Sequence, residues 1–150
     1  MPSSPVEAKP PPGAKSEEGS AIIEFIFLAV LLMVPVAYLI LTVGQLQGGA
    51  YAAVGAADQA AKVFVLHKEV PSAHQAAERA VRLAVADMGF DPDAATLSIT
   101  CNPGCSTAGA IVRAHVQLTV ELPVVGSLPG VNATAATVES TAQQKVGRYK

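Results

Sequence analysis

At 150 residues, with 51% hydrophobic and only 15% charged, the chain is too apolar for an ordinary soluble domain with a fully wetted surface. Its formal net charge of −2 comes from interspersed acids and bases, with no basic stripe, which excludes the electrostatic footprint of a nucleic-acid binder. There is no Trp, and Ala, Val, Gly and Thr dominate after residue 43, so any core is thin and a large buried active site is not expected.

Residues 1–19, "MPSSPVEAKPPPGAKSEEG", are rich in Pro, Ser and Gly without apolar periodicity and read as a disordered leader. They do not have the order of a secretory signal peptide, because the small residues precede the apolar run instead of following it. That run, residues 20–43, carries only Glu24 and Tyr38 as ionisable groups. At ~1.5 Å per residue it reaches roughly 36 Å, enough to cross a bilayer as one tilted helix. Helical structure is expected to begin near residues 16–20, where Glu17 and Glu18 suit the positive end of the helix dipole. Pro35 removes one backbone hydrogen bond and predicts a kink, not an end, because the bilayer favours local repair.

Residues 44–68 read as an extension of the same helix. Gly44, Gly48, Ala52, Ala56 and Ala60 recur four apart and form a small-residue ridge, the kind of surface that lets another helix approach closely. The remaining residues, 69–150, read as a small domain. A second helix is expected over "PSAHQAAERAVRLAVADMG", with Pro71 at its start, a Ser72-x-x-Gln75 capping box and Gly89 as its stop. Its apolar stripe runs through Ala77, Ala80, Val81, Ala84, Val85 and Met88.

After residue 94 the period changes to two. Val112, Ala114, Val116, Leu118, Val120 and Leu122 alternate with Arg113, His115, Gln117, Thr119 and Glu121, the pattern of a half-buried antiparallel strand. Residues 96–100, with Leu97 and Ile99 inward, form its hairpin partner, and "VNATAATVES" is a third strand whose inward face the sequence leaves open. The fold class is therefore α+β: a long N-terminal helix, a short second helix and a small antiparallel sheet of about three strands.

Glu24 requires an explanation, since a charge inside a span costs on the order of 2.5–3.5 kcal/mol at the bilayer centre and less toward its edge. Gly19, the small pair Ser20 and Ala21, then Glu24 and Phe25 directly ahead of a long apolar helix resemble the type IV prepilin class. Within it, the TadE-like pilus-assembly pseudopilins of the tight-adherence (Flp pilus) system are the most similar. The "CNPGC" loop, the alternating strand and the C-terminal "VGRYK" are similar to actinobacterial members of that family.

The resemblance implies cleavage between Gly19 and Ser20 by a membrane prepilin peptidase, with the N-terminus cytoplasmic and the C-terminal domain extracytoplasmic. It implies that Glu24, the fifth residue after the cut, pairs with the new N-terminal amine of a neighbouring subunit, with Phe25 beside it. An ammonium and a carboxylate offset each other's desolvation, so the implied role is physically consistent. Glu18 stands where the family often has a basic residue. Phe25 stands where Flp pilins have Tyr, which points to a minor pseudopilin. The implied partners are the peptidase, other pilin-like subunits (Flp pilin, TadF-like or TadG-like proteins), the inner-membrane platform and the membrane. No nucleic acid, cofactor or catalytic activity is implied. The alternative is an unprocessed single-pass envelope protein whose outer domain binds a protein or wall component.

Cys101 and Cys105 admit a disulfide, a metal half-site or a redox motif. Their three-residue spacing differs from thioredoxin-type motifs and no clustered His completes a tetrahedral site, so a disulfide at the hairpin tip is favoured and no metal is expected. His67, His74 and His115 are scattered, and no triad or carboxylate pair can be defended from spacing. Asn132 and Thr134 fit the N-x-[ST] pattern, a frequent chance match.

Overall fold

The computed structural model describes residues 17–122 and 135–148, with side chains from Ser20 onward. The chain divides into two units, residues 1–39 and residues 40–150, and the first helix contributes to both. In the first unit the described residues are one continuous helix, α1, which runs from Glu17 to Leu66 and passes through Pro35. From Ser20 to Leu39 every side chain is exposed except the half-buried Tyr38. Ile22, Phe25, Phe27, Leu31 and Met33 are among the large apolar side chains left uncovered there.

The second unit is an α+β domain. Its elements are the remainder of α1, helix α2 (Val70–Asp87), a single 3-10 turn (Pro92–Ala94), and strands β1 (Ala95–Asn102), β2 (Ile111–Glu121) and β3 (Ala135–Lys145). The strands form an antiparallel meander in the order β1-β2-β3, with Leu97 opposite Val116 and Val116 opposite Ser140. The expected alternation in β2 is present: Val112, Ala114, Val116, Leu118 and Val120 are buried, and Leu122 lies half-buried just beyond the strand. Burying each Val or Leu contributes roughly 1.5–3 kcal/mol relative to exposure, so β2 is the apolar centre of the sheet.

The helical layer over β2 is made mostly of alanine. Ala52, Ala53, Ala56, Ala57, Ala60, Ala61 and Phe64 of α1 join Ala73, Ala77, Val81 and Val85 of α2 in one buried cluster with the inner face of β2. Small side chains let α1 lie close to the sheet, as at Gly49. A Cβ placed there would stand 2.4 Å from a γ-carbon of Val120 and 3.4 Å from one of Val138. Phe64 closes the α1 end of this cluster, edge-on to the His74 ring at a centroid distance of 5.0 Å.

Helix α2 differs from expectation at its start. Its N-cap is Glu69, which makes no side-chain cap, and Ser72 sits in the first turn with its Oγ donating to the Glu69 carbonyl at 2.9 Å. The capping box Ser72-x-x-Gln75 is therefore not formed, because the helix already begins at Val70, ahead of Ser72. Of its apolar stripe, Ala77, Val81 and Val85 are buried, Ala80 and Ala84 are half-buried, and Met88 is exposed. The expected stop is present in full. Gly89 takes φ +81°, its N–H donates to the Ala86 carbonyl, and the Phe90 N–H donates to the Val85 carbonyl, the paired bonds of a Schellman motif.

The third strand extends to Lys145, past the expected end at Ser140, and Ala135 and Ala136 fall within its alternation, the first outward and the second inward. Residues 131–134 of the expected strand, including Asn132 and Thr134, lie outside the described residues, as do leader residues 1–16.

Candidate functional site

The first candidate element is the helix start. Gly19 and Ser20 lie in the first turn of α1, where the leading N–H groups have no intrahelical acceptor. A cleft that takes an extended backbone at this bond would have to unwind that turn alone. Glu24 follows one turn later, exposed, with Phe25, Ile26, Phe27 and Leu28 exposed beside it. Among the described residues no side chain pairs with Glu24. The carboxylate therefore stands on an apolar helix with no partner side chain among the described residues. This helix is long and apolar enough to cross a membrane, compatible with a single-pass membrane protein.

The small-residue ridge lies mostly inside the domain. Ala52, Ala56 and Ala60 are buried at 0–1% exposure in the cluster that also holds Ala73, Ala77, Val81 and Val85 of α2, so they are not available to a helix of another molecule. Gly48 faces the Phe90 ring, whose nearest carbon would lie 3.3 Å from a Cβ added there, and within the ridge only Gly44 has open space beside it. A second row, Gly49, Ala53, Ala57 and Ala61, runs alongside the first: Gly49 meets Val120 and Val138 of the sheet, and the three alanines are buried in the same cluster. The signal was present in the sequence as adjacent small pairs at 48/49, 52/53, 56/57 and 60/61.

Cys101, the seventh residue of β1, forms a disulfide with Cys105 in the loop to β2. It closes the end of the sheet at which β2 begins. The Gly109 N–H donates to the Val146 carbonyl, and the Val146 N–H donates to the Ala110 carbonyl, which tie the same loop to the end of β3.

The histidines stay apart. His67 Nδ1 lies 3.0 Å from the Val63 carbonyl within α1, and His74 packs edge-on to Phe64. His115 is on the outer sheet face, Nδ1 at 2.9 Å from Thr141 Oγ1 and Nε2 at 3.6 Å from a Glu139 carboxylate oxygen. Among the described residues no group of three or more His, Cys, Asp or Glu side chains is arranged to hold a metal ion. The surface depressions of the domain are shallow: one is lined by Gln45, Phe90, Asp91 and Glu121, another by Glu78, Arg82 and Thr96.

The outer face of the sheet was not anticipated as a feature. Its rows, from one end to the other, are Glu121 with Ala135, Thr119 with Thr137, Thr96–Gln117–Glu139, Ser98–His115–Thr141, Thr100–Arg113–Gln143 and Asn102–Ile111–Lys145. All are exposed except the half-buried His115. Compared with protein-family models, with curated proteins and with solved structures, the chain finds no match in any of the three.

Proposed function

We propose that the chain is a membrane-anchored minor pseudopilin of the TadE-like kind, cut between Gly19 and Ser20 by a prepilin peptidase and acting in assembly or initiation of a tight-adherence pilus. The observation that carries this reading is Glu24, the one carboxylate in the exposed apolar stretch 20–43, at the fifth position of the chain that cleavage would leave. Within a bilayer such a group seeks a cation, and the ammonium created at Ser20 of a neighbouring subunit is the nearest one the pathway would supply. Glu24 would then set the register between adjacent helices, and Phe25 would pack beside it. In this reading the N-terminus is cytoplasmic, the α+β domain is extracytoplasmic, and the protein has no turnover chemistry. Its partners would be the peptidase, pilin-like subunits including TadF-like or TadG-like proteins, and the inner-membrane platform.

The test is the N-terminal residue of the membrane-extracted protein, by intact mass and terminal sequencing, with the peptidase present and absent. A start at Ser20 only in its presence is the expected result. An intact leader in both samples would overturn the reading in favour of an unprocessed single-pass envelope protein. Once cleavage is established, Glu24→Gln is expected to leave it unchanged while reducing co-purification of pilin-like subunits by about tenfold or more, the scale of leaving a buried ammonium without its carboxylate.

A further inference from the structure

At the end of the outer sheet face where β2 begins, the rows Thr100–Arg113–Gln143 and Asn102–Ile111–Lys145 carry two cations on neighbouring strands and no acid. Thr100, Asn102, Ile111 and Arg113 line a shallow depression of about 200 Å³ there, with Cys101 of the disulfide in its wall. Lys145, opposite Ile111, stands next to it on β3. Its ε-carbon lies 3.7 Å from the place of a Cβ on Gly109, whose N–H is bonded to the Val146 carbonyl. Arg113 and Lys145 are diagonal neighbours with Cα atoms about 7–8 Å apart, so both side chains can reach one anionic group.

Other cations of the domain are neutralised within it: Lys62 Nζ lies 2.6 Å from Asp58 and an Arg82 guanidinium nitrogen 2.6 Å from Asp93. Among the described residues Arg113 and Lys145 have no such partner, and Thr100, Asn102 and Gln143 make no side-chain hydrogen bond. The nearer acid of the face, Glu139, is two rows away from Arg113. It accepts a hydrogen bond from Gln117 Nε2 at 3.3 Å and lies 3.6 Å from His115 Nε2. The two depressions described above each include a carboxylate; this one is bordered by two cations and hydrogen-bonding groups alone.

A guanidinium offers a planar fork to two oxygens of a phosphate, and an ammonium adds a point charge. Thr100, Asn102 and Gln143 then present hydrogen-bonding groups to whatever flanks that phosphate, which suits hydroxyls. The described rows contain no Phe, Tyr or Trp, so they lack the platform on which nucleic-acid bases stack. Ile111 is their one large apolar side chain, too little for the buried anchor of a protein partner. The depression is smaller than the ~300–1,000 Å³ of pockets that enclose a whole ligand, so it fits one repeat of a longer chain.

We infer that this end of the outer sheet face binds a phosphodiester-linked polyol chain, with one phosphate between Arg113 and Lys145 and the adjacent hydroxyls on Thr100, Asn102 and Gln143. The site uses only the α+β domain and stands whether or not the leader is cut. It is remote from the entry of α1: Gly49 meets Val120, and Ile111 is roughly 30 Å further along β2 at ~3.3 Å per residue. Both cations are exposed, so each contact is weak and salt-sensitive. A chain of repeated phosphates gains over a single phosphate because the next repeat recaptures the site when one lets go.

The experiment follows the fluorescence anisotropy of a labelled glycerol phosphate oligomer titrated with the full-length protein in a non-ionic detergent. Inorganic phosphate, poly-glutamate, polygalacturonate and single-stranded DNA serve as competitors. Binding is expected at low salt, with a severalfold loss between about 50 mM and about 200 mM salt. R113Q and K145Q are each expected to weaken it about fivefold, the upper end for an exposed charged contact, and R113E/K145E to remove it. R79Q, which takes an exposed cation from α2, is expected to leave it unchanged. Circular dichroism of each variant checks that the fold is retained. No binding at low salt, or a loss with R79Q equal to that with R113Q, would overturn the inference. So would competition by any of the four competitors as strong as that by unlabelled oligomer. The chains used retain the leader, so each result is independent of the processing test.

Discussion

At Gly49 the domain leaves no room for a side chain, and the cost of adding one can be separated from the general effect of replacing glycine in a helix. A methyl there would meet Val120 at 2.4 Å, whereas one at Gly55, in the same helix, would meet nothing within 4 Å. Gly49→Ala is therefore expected to destabilise the protein by about 1–3 kcal/mol through overpacking, and Gly55→Ala to stabilise it by about 0.5–1 kcal/mol through helix propensity and a less flexible unfolded chain. Denaturant unfolding of the detergent-solubilised variants, followed by circular dichroism, distinguishes the two signs. Glu24 stands out in the sequence because a single carboxylate in a long apolar run has no averaging context. The distinct roles of Gly48 and Gly49 were not legible, since which of two adjacent glycines faces a ring and which faces a strand depends on how the helix is rotated against the sheet.

The elements divide by how they declare themselves. Strand β2 is marked by strict alternation because one face is fully buried and the other wet. The last part of β3, through Gln143 and Gln144, lacks an apolar mark, as it is held by its ladder to β2 rather than by burial. The N-terminus of α2 misled for a related reason: Val70 and Pro71 already adopt helical geometry, which leaves Ser72 inside the first turn. Ser72→Ala should then change stability by less than about 0.5 kcal/mol, while Glu69→Ser, at the true cap position, should add about 0.5–1 kcal/mol, both read from thermal unfolding. For the disulfide, Cys101→Ser with Cys105→Ser is expected to cost roughly 2 kcal/mol in the same measurement, on the chain-entropy account of so short a loop.

For the chain as a whole, the sequence conveyed its class, α+β behind a long apolar helix, because composition and period report burial directly. What it did not convey was that the small residues of α1 are buried in the chain's own core, in one cluster with α2 and the sheet. The use of α1 in the core also bears on where the domain could be cut free of the apolar helix. A protease acting at Gly44–Gln47 would shed a domain with all its core alanines, free to diffuse. A cut between Ala61 and Leu66 would leave the buried alanines of α1 on the apolar helix and uncover part of the core of the released fragment, which would be prone to aggregate. Release in folded form is thus confined to a few bonds next to the apolar run.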